Sequence, residues 1–336
     1  MRRLQTSPAI VLRAYRGPQD HPVMNEIAAA VRADNGEREL GTVADLDNHY
    51  AHLDKAALPR DCALVKVDGR AVAYGRASWA ELADGGAQVE CILNIQPDAR
   101  GRGVEELFAD HAIRRARELV SEPDRARGRS ARLVVFVGGR DGIQRSVLAG
   151  LGFRIAGHGA QLIRPDFEAI PDLPILAPFE VRPIEPADRT MHRRVWEASA
   201  RAFADSLGEE KPTEAKYLEF VNDPSFAPQL WKVAFDGDRI AGQILNYLGD
   251  LEPDGTRVGW TEGITVQPEY RRRGLARALL ARSLRTVRDA GATCAGLSVD
   301  LRNPNHAVDL YQGMGYRIVS ESFEYVLGPL EPAADR

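Results

Sequence analysis

Three arginines, a glycine and an alanine precede a predicted helix in the second half of the chain, in the run Arg271-Arg272-Arg273-Gly274-Leu275-Ala276. The first amides of a helix have no acceptor within the helix, and they lie at the positive end of its dipole. Small residues over these amides let a diphosphate group accept their hydrogen bonds, and the arginines add positive charge. The run therefore predicts a diphosphate site. The alternative is an ordinary strand-to-helix turn with solvated arginines.

The residues on either side of this turn predict the elements that position it. Trp260, Ile264 and Val266 alternate with polar or small residues, which is typical of a strand. Leucine and valine recur at helical spacing from Leu275 to Asp289, which predicts an amphipathic helix. The expected order is strand, small-residue turn and helix.

A second motif follows about thirty residues later. It contains Asn303-Pro304, Ala307, Leu310-Tyr311 and Gly315-Tyr316. Together with Val266, Pro268, Arg271, Gly274 and Ala276, it resembles the signature of the GNAT superfamily of acetyl-CoA-dependent N-acyltransferases. The resemblance covers residues 179–327 and, with fewer matches, residues 9–163. It implies an α/β (α+β) fold built from mixed, mostly antiparallel sheets that are flanked by helices.

The resemblance also implies which residues contact acetyl-CoA, the expected co-substrate, with no metal involved. Strand backbone groups would pair with the pantetheine arm, and the turn would hold the diphosphate. Asn303 would make a polar contact, although an Asn-Pro pair is also typical of a helix cap and first turn. The expected contact residues are Ile264, Thr265, Val266, Arg271, Arg272, Arg273, Gly274, Leu275, Ala276 and Asn303.

Tyr311 is the predicted general acid. It lies on a predicted helix from Pro304 to Met314, and its phenol is protonated at neutral pH, so it can donate a proton to a thiolate leaving group. Without the surrounding motif, a tyrosine one turn before a helix end is more often a packing residue. The resemblance assigns it the role of acid.

Glu262 is the predicted base. The two-residue period of a strand would place it on the same face as Ile264 and Val266, and partial burial would make its carboxylate a better base. The resemblance implies that a water chain leads from this position to the amine. The alternative is a solvent-facing or salt-bridged Glu262 with no catalytic role, and Asp205 or Asp300 could serve as base instead.

The chain repeats itself at an offset of 171 residues. Pro97, Arg100 and Gly103 match Pro268, Arg271 and Gly274 at that offset, and one period of this length indicates duplicated domains rather than a solenoid. Four prolines between 165 and 178 interrupt any periodic pattern. The predicted organisation is a degenerate N-terminal GNAT-like domain (1–164), a proline-rich linker (165–178) and a catalytic C-terminal GNAT domain (179–336).

The N-terminal copy departs from the pattern at two positions. It carries Glu105 where the second copy has Ala276, and a carboxylate there would repel a bound diphosphate. It carries Leu148 where the second copy has Tyr311, and leucine cannot transfer a proton. We therefore expect one active centre, in the C-terminal half, although residual coenzyme A binding through Arg100 and Gly103 stays open.

Composition limits the classes of partner. A net charge of −4 gives no reason to expect nucleic acid or an anionic membrane surface, and no apolar run approaches membrane-spanning length. Cys62, Cys91 and Cys294 have no metal-ligand spacing and are expected to be reduced core residues of a cytoplasmic protein.

The predicted function is transfer of acetyl from acetyl-CoA to a primary amine of a small-molecule acceptor. The sequence leaves open the identity of the acceptor and the oligomeric state of the protein. Acceptor recognition is expected from helices at 193–207 and 214–221 and from the loop at 249–256. Acetylation of a protein amine is one alternative, and two more remain. The tandem layout also resembles mycothiol synthase, which acetylates a cysteinyl amino-sugar thiol precursor, and the protein could instead be an acyl-CoA-binding sensor without turnover.

Overall fold

The computed structural model describes residues 9–38, 41–53, 57–122, 130–203, 210–302 and 307–330. The chain forms two compact units. The first comprises Met1–His158 with Glu321–Arg336, and the second comprises Gly159–Ser320.

The first unit is a mixed, mostly antiparallel sheet with helices between its strands. Strands β1 to β4 pair antiparallel in chain order, β4 and β5 pair in parallel, and β5 pairs antiparallel with the end of β12. The strands are β1 Ile10–Ala14, β2 Cys62–Val67, β3 Arg70–Glu81, β4 Ala87–Ile95, β5 Ala131–Gly138 and β12 Arg317–Leu327. The helices are α1 His21–Asn35, α2 Val43–Ala51, α3 Leu58–Asp61, α4 Val104–Ser121 and α5 Gly142–Gly150.

The second unit repeats this topology. Strands β7 to β10 pair antiparallel in chain order, β10 and β11 pair in parallel, and β11 pairs antiparallel with the end of β6. The strands are β6 Arg154–Arg164, β7 Glu180–Arg182, β8 Lys232–Asp236, β9 Arg239–Leu251, β10 Arg257–Val266 and β11 Cys294–Asp300. The helices are α6 Arg189–Phe203, α7 Glu214–Val221, α8 Leu275–Asp289 and α9 Ala307–Gln312. The predicted fold class is confirmed.

The last strand of each unit comes from the other half of the sequence. Gly159–Arg164 of β6 pair with β11 in the second unit, and Ser322–Leu327 of β12 pair with β5 in the first. The compact units are therefore bounded at different points from the linear division at 165–178. That division stays a prediction about where the duplicated segments meet.

The proline-rich segment contains neither helix nor strand, as its sequence predicts. Its apolar side chains are partly buried against the core of the second unit, and Arg285 on α8 donates a hydrogen bond to the Pro171 carbonyl. The segment is therefore packed on the second unit along part of its length.

Helix α8 matches its predicted bounds and buries its predicted face. Leu275, Leu279, Leu280, Leu284 and Val287 are all buried. Fully burying one such side chain contributes about 1.5–3 kcal/mol, so this face holds the helix on the sheet.

Two other helices differ from their predicted bounds. Helix α6 begins at Arg189 rather than Arg193, because the Asp188 carboxylate accepts the Met191 amide at 2.9 Å and caps the helix there. Helix α9 ends at Gln312 rather than Met314, because Gly315 takes φ +88° and ends the turn. The predicted residues 204–207 of the first and 304–306 of the second lie outside the described residues.

All three cysteines are free and buried, as predicted. Cys62 and Cys91 lie in β2 and β4 of the first unit, and Cys294 opens β11 of the second.

Candidate active site

Strands β10 and β11 separate at the centre of the second unit. Their parallel pairing covers Val258–Trp260 and Cys294–Gly296, while β10 continues to Val266 and β11 to Asp300. The polar backbone groups between the separated ends face a gap rather than a neighbouring strand. Such groups are available to an extended ligand arm that enters between the strands.

A β-bulge changes the direction of the β10 side chains beside this gap. The partner of Glu262 on β9 is Leu245 and the partner of Thr265 is Gln243, so two residues of β10, Gly263 and Ile264, oppose one residue of β9. Gly263 takes φ +57°, the left-handed conformation that a bulge of this kind favours and that glycine adopts without strain.

The bulge makes one sequence prediction wrong. Cross-strand partners share a face, so Glu262 lies on the face of Leu245, whereas Val266 lies opposite Gly242 on the other face. The strict two-residue period would have placed Glu262 and Val266 together. The extra residue in the bulge reverses the alternation between them.

Glu262 spans the gap between the separated strands. Its Oε1 accepts the backbone N–H of Ser298, on β11, at 2.8 Å, and the side chain is half-buried. The contact fixes the position of the carboxylate at the point where the strands diverge.

Tyr311 lies close enough to Glu262 for the two groups to interact electrostatically. Burial raises the pKa of the Tyr311 phenol, and the negative charge of Glu262 raises it further. The side chain is 7% exposed, and no described residue hydrogen-bonds to its hydroxyl. The structure therefore holds a protonated phenol with an unused donor beside a carboxylate.

A short hydrogen-bond chain closes the end of the gap where the strands meet. The Thr261 hydroxyl donates to the Gly296 carbonyl at 3.1 Å. Since a hydroxyl has one hydrogen, Thr261 accepts from the Tyr316 hydroxyl at 2.8 Å. Trp260 and Gly296 are the last paired residues, so the chain fixes the point of separation.

The second-unit turn, Arg271–Gly274, presents free amides to solvent. Arg272 takes φ +60° and Gly274 takes φ +76°, and such alternation of left-handed residues makes a concave array of N–H groups. Gly274 precedes α8 without a side-chain cap, and a Cβ built on it would have no neighbour within 4 Å. Within the described ranges, the amides of residues 272–277 have no acceptor. Free amides at a helix N-terminus are the kind of group that binds an anion.

The arginine side chains of the turn have different surroundings. Arg271 donates to the Val266 carbonyl at 3.1 Å and to the Ala202 carbonyl at 3.2 Å, which ties the turn to β10 and α6. Arg273 donates to the Glu269 carbonyl at 3.1 Å, while Arg272 is exposed. Direct contact of these three side chains with a diphosphate stays a prediction.

The other candidate residues are not brought into this group. Asn303 and Asp205 lie outside the described residues. Asp300 is exposed at the end of β11, where its carboxylate accepts the Arg302 amide at 2.8 Å. Ile264 and Val266 are partly buried against the core on the α8 side, and Thr265 is buried on the other face.

Two of the aromatic residues near the predicted acceptor helices are core residues. Trp231 and Tyr217 are buried, and Tyr217 packs against Trp196 with ring centroids 5.4 Å apart. Trp231 belongs to the cluster between α6 and the sheet. These side chains support the helices that flank the gap.

The first unit lacks several parts of this site. Its strands β4 and β5 stay paired from Ala87 to Cys91, two positions further than the matching pairs of β10 and β11. Strand β4 pairs with β3 in unbroken register without a bulge, and Leu148 is buried in the core. Cys91 stands at the position of Glu262, at the offset of 171.

Three features of the site were not predicted from the sequence. A glycine inside a strand, such as Gly263, indicates a bulge, so this signal was available. Thr261 and Ser298 carried no signal, because one acts through its hydroxyl and the other through its backbone amide.

In the part of the chain that the structure describes, no helix is long and apolar enough to cross a membrane. Over the same ranges, no cluster of three or more His, Cys, Asp or Glu residues could hold a metal ion.

Comparison with known proteins shows what part of the chain resembles. Residues 193–316 match the sequence model of the Acetyltransferase (GNAT) family. Two curated relatives are mycothiol acetyltransferases. The one from Thermobifida fusca is 33% identical over 40% of this chain and 42% of its own length. The one from Nocardiopsis dassonvillei is 34% identical over 43% of this chain and 47% of its own length. The matched stretch thus spans less than half of either relative.

Two solved structures share the fold along nearly the whole chain. One is a GCN5-related N-acetyltransferase from Sphaerobacter thermophilus, with a TM-score of 0.68, 20% identity and coverage of 97% of this chain and 98% of its own. The other is a tandem GNAT protein from the clavulanic acid biosynthesis pathway, with a TM-score of 0.65, 16% identity and coverage of 97% and 100%. At these identities the likeness concerns the fold.

Proposed function

Because residues 193–316 belong to the GNAT acetyltransferase family, we propose that the second unit transfers an acetyl group from acetyl-CoA to the primary amine of a small-molecule acceptor. The observation that carries the proposal is the combination of a free amide array at the second-unit turn with an unused Tyr311 donor beside Glu262. The amide array suits the diphosphate of coenzyme A, and the gap between β10 and β11 suits its extended arm.

The proposed reaction is direct attack by the amine. The amine nitrogen forms a bond to the thioester carbonyl carbon, and the carbon–sulfur bond then breaks. The leaving thiolate takes a proton from the Tyr311 hydroxyl, which its raised pKa keeps protonated at neutral pH. A backbone amide of β10 is the proposed donor to the carbonyl oxygen as negative charge develops on it.

Glu262 is the proposed acceptor of the amine proton, through water. Its position supports this role, because the Ser298 amide holds one carboxylate oxygen at the gap. The bulge at Gly263 turns the carboxylate to the face of the sheet on which α6 lies. Helix α6 overlaps one of the helices predicted to recognise the acceptor. Proton transfer from an attacking amine needs such a fixed base.

The test is acetyl-CoA turnover over a panel of small primary amines. We expect Tyr311→Phe to lower kcat about 100-fold with little change in the KM for acetyl-CoA, because a positioned general acid contributes about 10²–10⁴-fold. Tyr325→Phe is the matched control, since it removes a buried tyrosine hydroxyl from the first unit, where Tyr325 accepts a bond from Arg145.

Two outcomes would contradict the proposal. Equal kcat values in wild type and Tyr311→Phe would show that Tyr311 is not the general acid. Tight acetyl-CoA binding without transfer to any amine would instead support a sensor that binds acyl-CoA.

A second candidate function has specific support. Both curated relatives are mycothiol acetyltransferases, and we propose a cysteinyl amino-sugar amine as the second candidate acceptor. Including this acceptor in the panel separates the two candidates. A kcat/KM at least tenfold above that of simple amines would select it, and a lower value would exclude it.

A further inference from the structure

The turn before α4 in the first unit has the same backbone as the second-unit turn. We call this segment, Arg100–Gly103, the first-unit turn. Gly101 takes φ +72° and Gly103 takes φ +86°, where Arg272 and Gly274 take +60° and +76°. Both turns follow a short 3-10 helix, and both lead into a long helix without a side-chain cap on the preceding glycine. The amide array has therefore been retained in the first unit.

A carboxylate of the chain itself occupies this retained array. The Glu105 Oε1 accepts the Gly101 amide at 2.8 Å. The residue is 2% exposed, and its second oxygen is buried with no hydrogen-bond partner among the described residues. A buried carboxylate oxygen without a donor is costly, so the positive end of α4 and the turn amides must offset that cost.

The nearby arginine does not provide that compensation. Arg100 is paired with Asp34 at 2.6 Å and with Asp141 at 2.9 Å, so two other carboxylates already neutralise its charge. Among the described residues, Glu105 therefore has the Gly101 amide as its one donor. That is the environment of an anion bound at a helix N-terminus.

We propose that the first-unit turn is an oxyanion site of the diphosphate class, which Glu105 fills in place of a ligand. Removing the carboxylate should open it. Because β4 and β5 stay paired beyond the position where β10 and β11 separate, the site suits a nucleoside diphosphate better than a ligand with a long extended arm.

The experiment is equilibrium dialysis of the full chain with ADP. We expect Glu105→Ala to bind one more ADP per chain than the wild type. Alanine is also the residue at the matching position of the second unit, Ala276. The increment is the readout, so the test holds whether or not the second unit binds ADP. If the second unit bound no diphosphate, the wild-type count would be zero and the increment would still be one.

Two control variants separate charge from other effects. Glu106→Ala removes the neighbouring exposed carboxylate from the same helix turn and should add no site. Glu105→Gln keeps the length of the side chain and an oxygen for the Gly101 amide, so we expect its ADP affinity to be at least about tenfold weaker than that of Glu105→Ala. Circular dichroism checks that each variant is folded, and Glu105→Ser is the substitute if the alanine variant is not.

The amide resonance of Gly101 gives a local measurement. In Glu105→Ala it should shift when ADP is added, and in the wild type it should not. A folded Glu105→Ala or Glu105→Ser protein that binds no more ADP than the wild type would overturn the proposal.

Discussion

The helices that follow the two turns carry Glu105 and Ala276 at matching positions, so the reciprocal substitution Ala276→Glu tests what holds the diphosphate. The backbone of the second-unit turn matches that of the first, where Glu105 reaches the Gly101 amide at 2.8 Å. A glutamate at 276 should therefore reach the Arg272 amide in the same way. The protein would then supply its own anion to the second-unit turn.

The expected loss of binding follows from one hydrogen bond. A hydrogen bond to a charged group contributes about 1.5–3 kcal/mol. Losing one such bond raises the Kd of coenzyme A about 10- to 150-fold, at about 1.4 kcal/mol per tenfold change. Repulsion between the carboxylate and the diphosphate adds to this loss.

Stability should change in the opposite direction. A carboxylate in the first turn of a helix stabilises it by about 0.3–1 kcal/mol, so Ala276→Glu should keep or raise the free energy of unfolding. Calorimetric titration with coenzyme A and urea denaturation measure the two quantities separately. Ala276→Gln is the matched control, and it should lose less affinity because it adds length without charge.

Unchanged coenzyme A affinity in a stable Ala276→Glu protein would refute the reasoning. It would mean that the diphosphate does not rest on these amides. A fall in both affinity and stability would show that the glutamate disturbs the turn instead of capping it.

Three further predictions concern the gap between β10 and β11. Thr261→Val leaves the Tyr316 hydroxyl and the Gly296 carbonyl without their shared partner, so urea denaturation should show a loss of about 1–3 kcal/mol; an unchanged midpoint would contradict the role given to this chain. Gly263→Ala puts a side chain in the left-handed conformation, which costs about 1–2 kcal/mol, and should lower kcat by moving the bulge; full activity at reduced stability would separate the bulge from the site. Because the pKa of Tyr311 is raised above that of a free phenol, kcat should show no alkaline loss up to about pH 10; a loss near neutral pH that vanishes in Tyr311→Phe would contradict the raised pKa.

The fold was predictable from local patterns. Leucine spacing set the bounds of α8, and the matching turns at the offset of 171 revealed the duplication. The pairing of β6 with β11 was not predictable, because a strand carries no mark of which neighbour it will join. A repeated sequence makes this choice harder, since either copy offers a suitable edge.

The site was predictable in part. Tyr311 and Glu262 were singled out from the motif and its strand, and the structure places them within electrostatic range. The face of Glu262 was predicted wrongly, because a regular period cannot include a residue that a bulge inserts. The Glu105 contact needed coordinates, since the sequence shows a charge near the turn but not that it reaches the Gly101 amide.

The exchange of final strands has a consequence for any attempt to divide this protein. A cut within residues 165–178 leaves the upstream fragment without β12, so the edge of β5 is unpaired. The downstream fragment lacks β6, which is the partner of β11. Open edges of this kind recruit other chains, so fragments made that way are expected to aggregate, or to recover only when both are expressed together. Strand β12 is also translated after every other strand described, so the unit that is synthesised first is completed last.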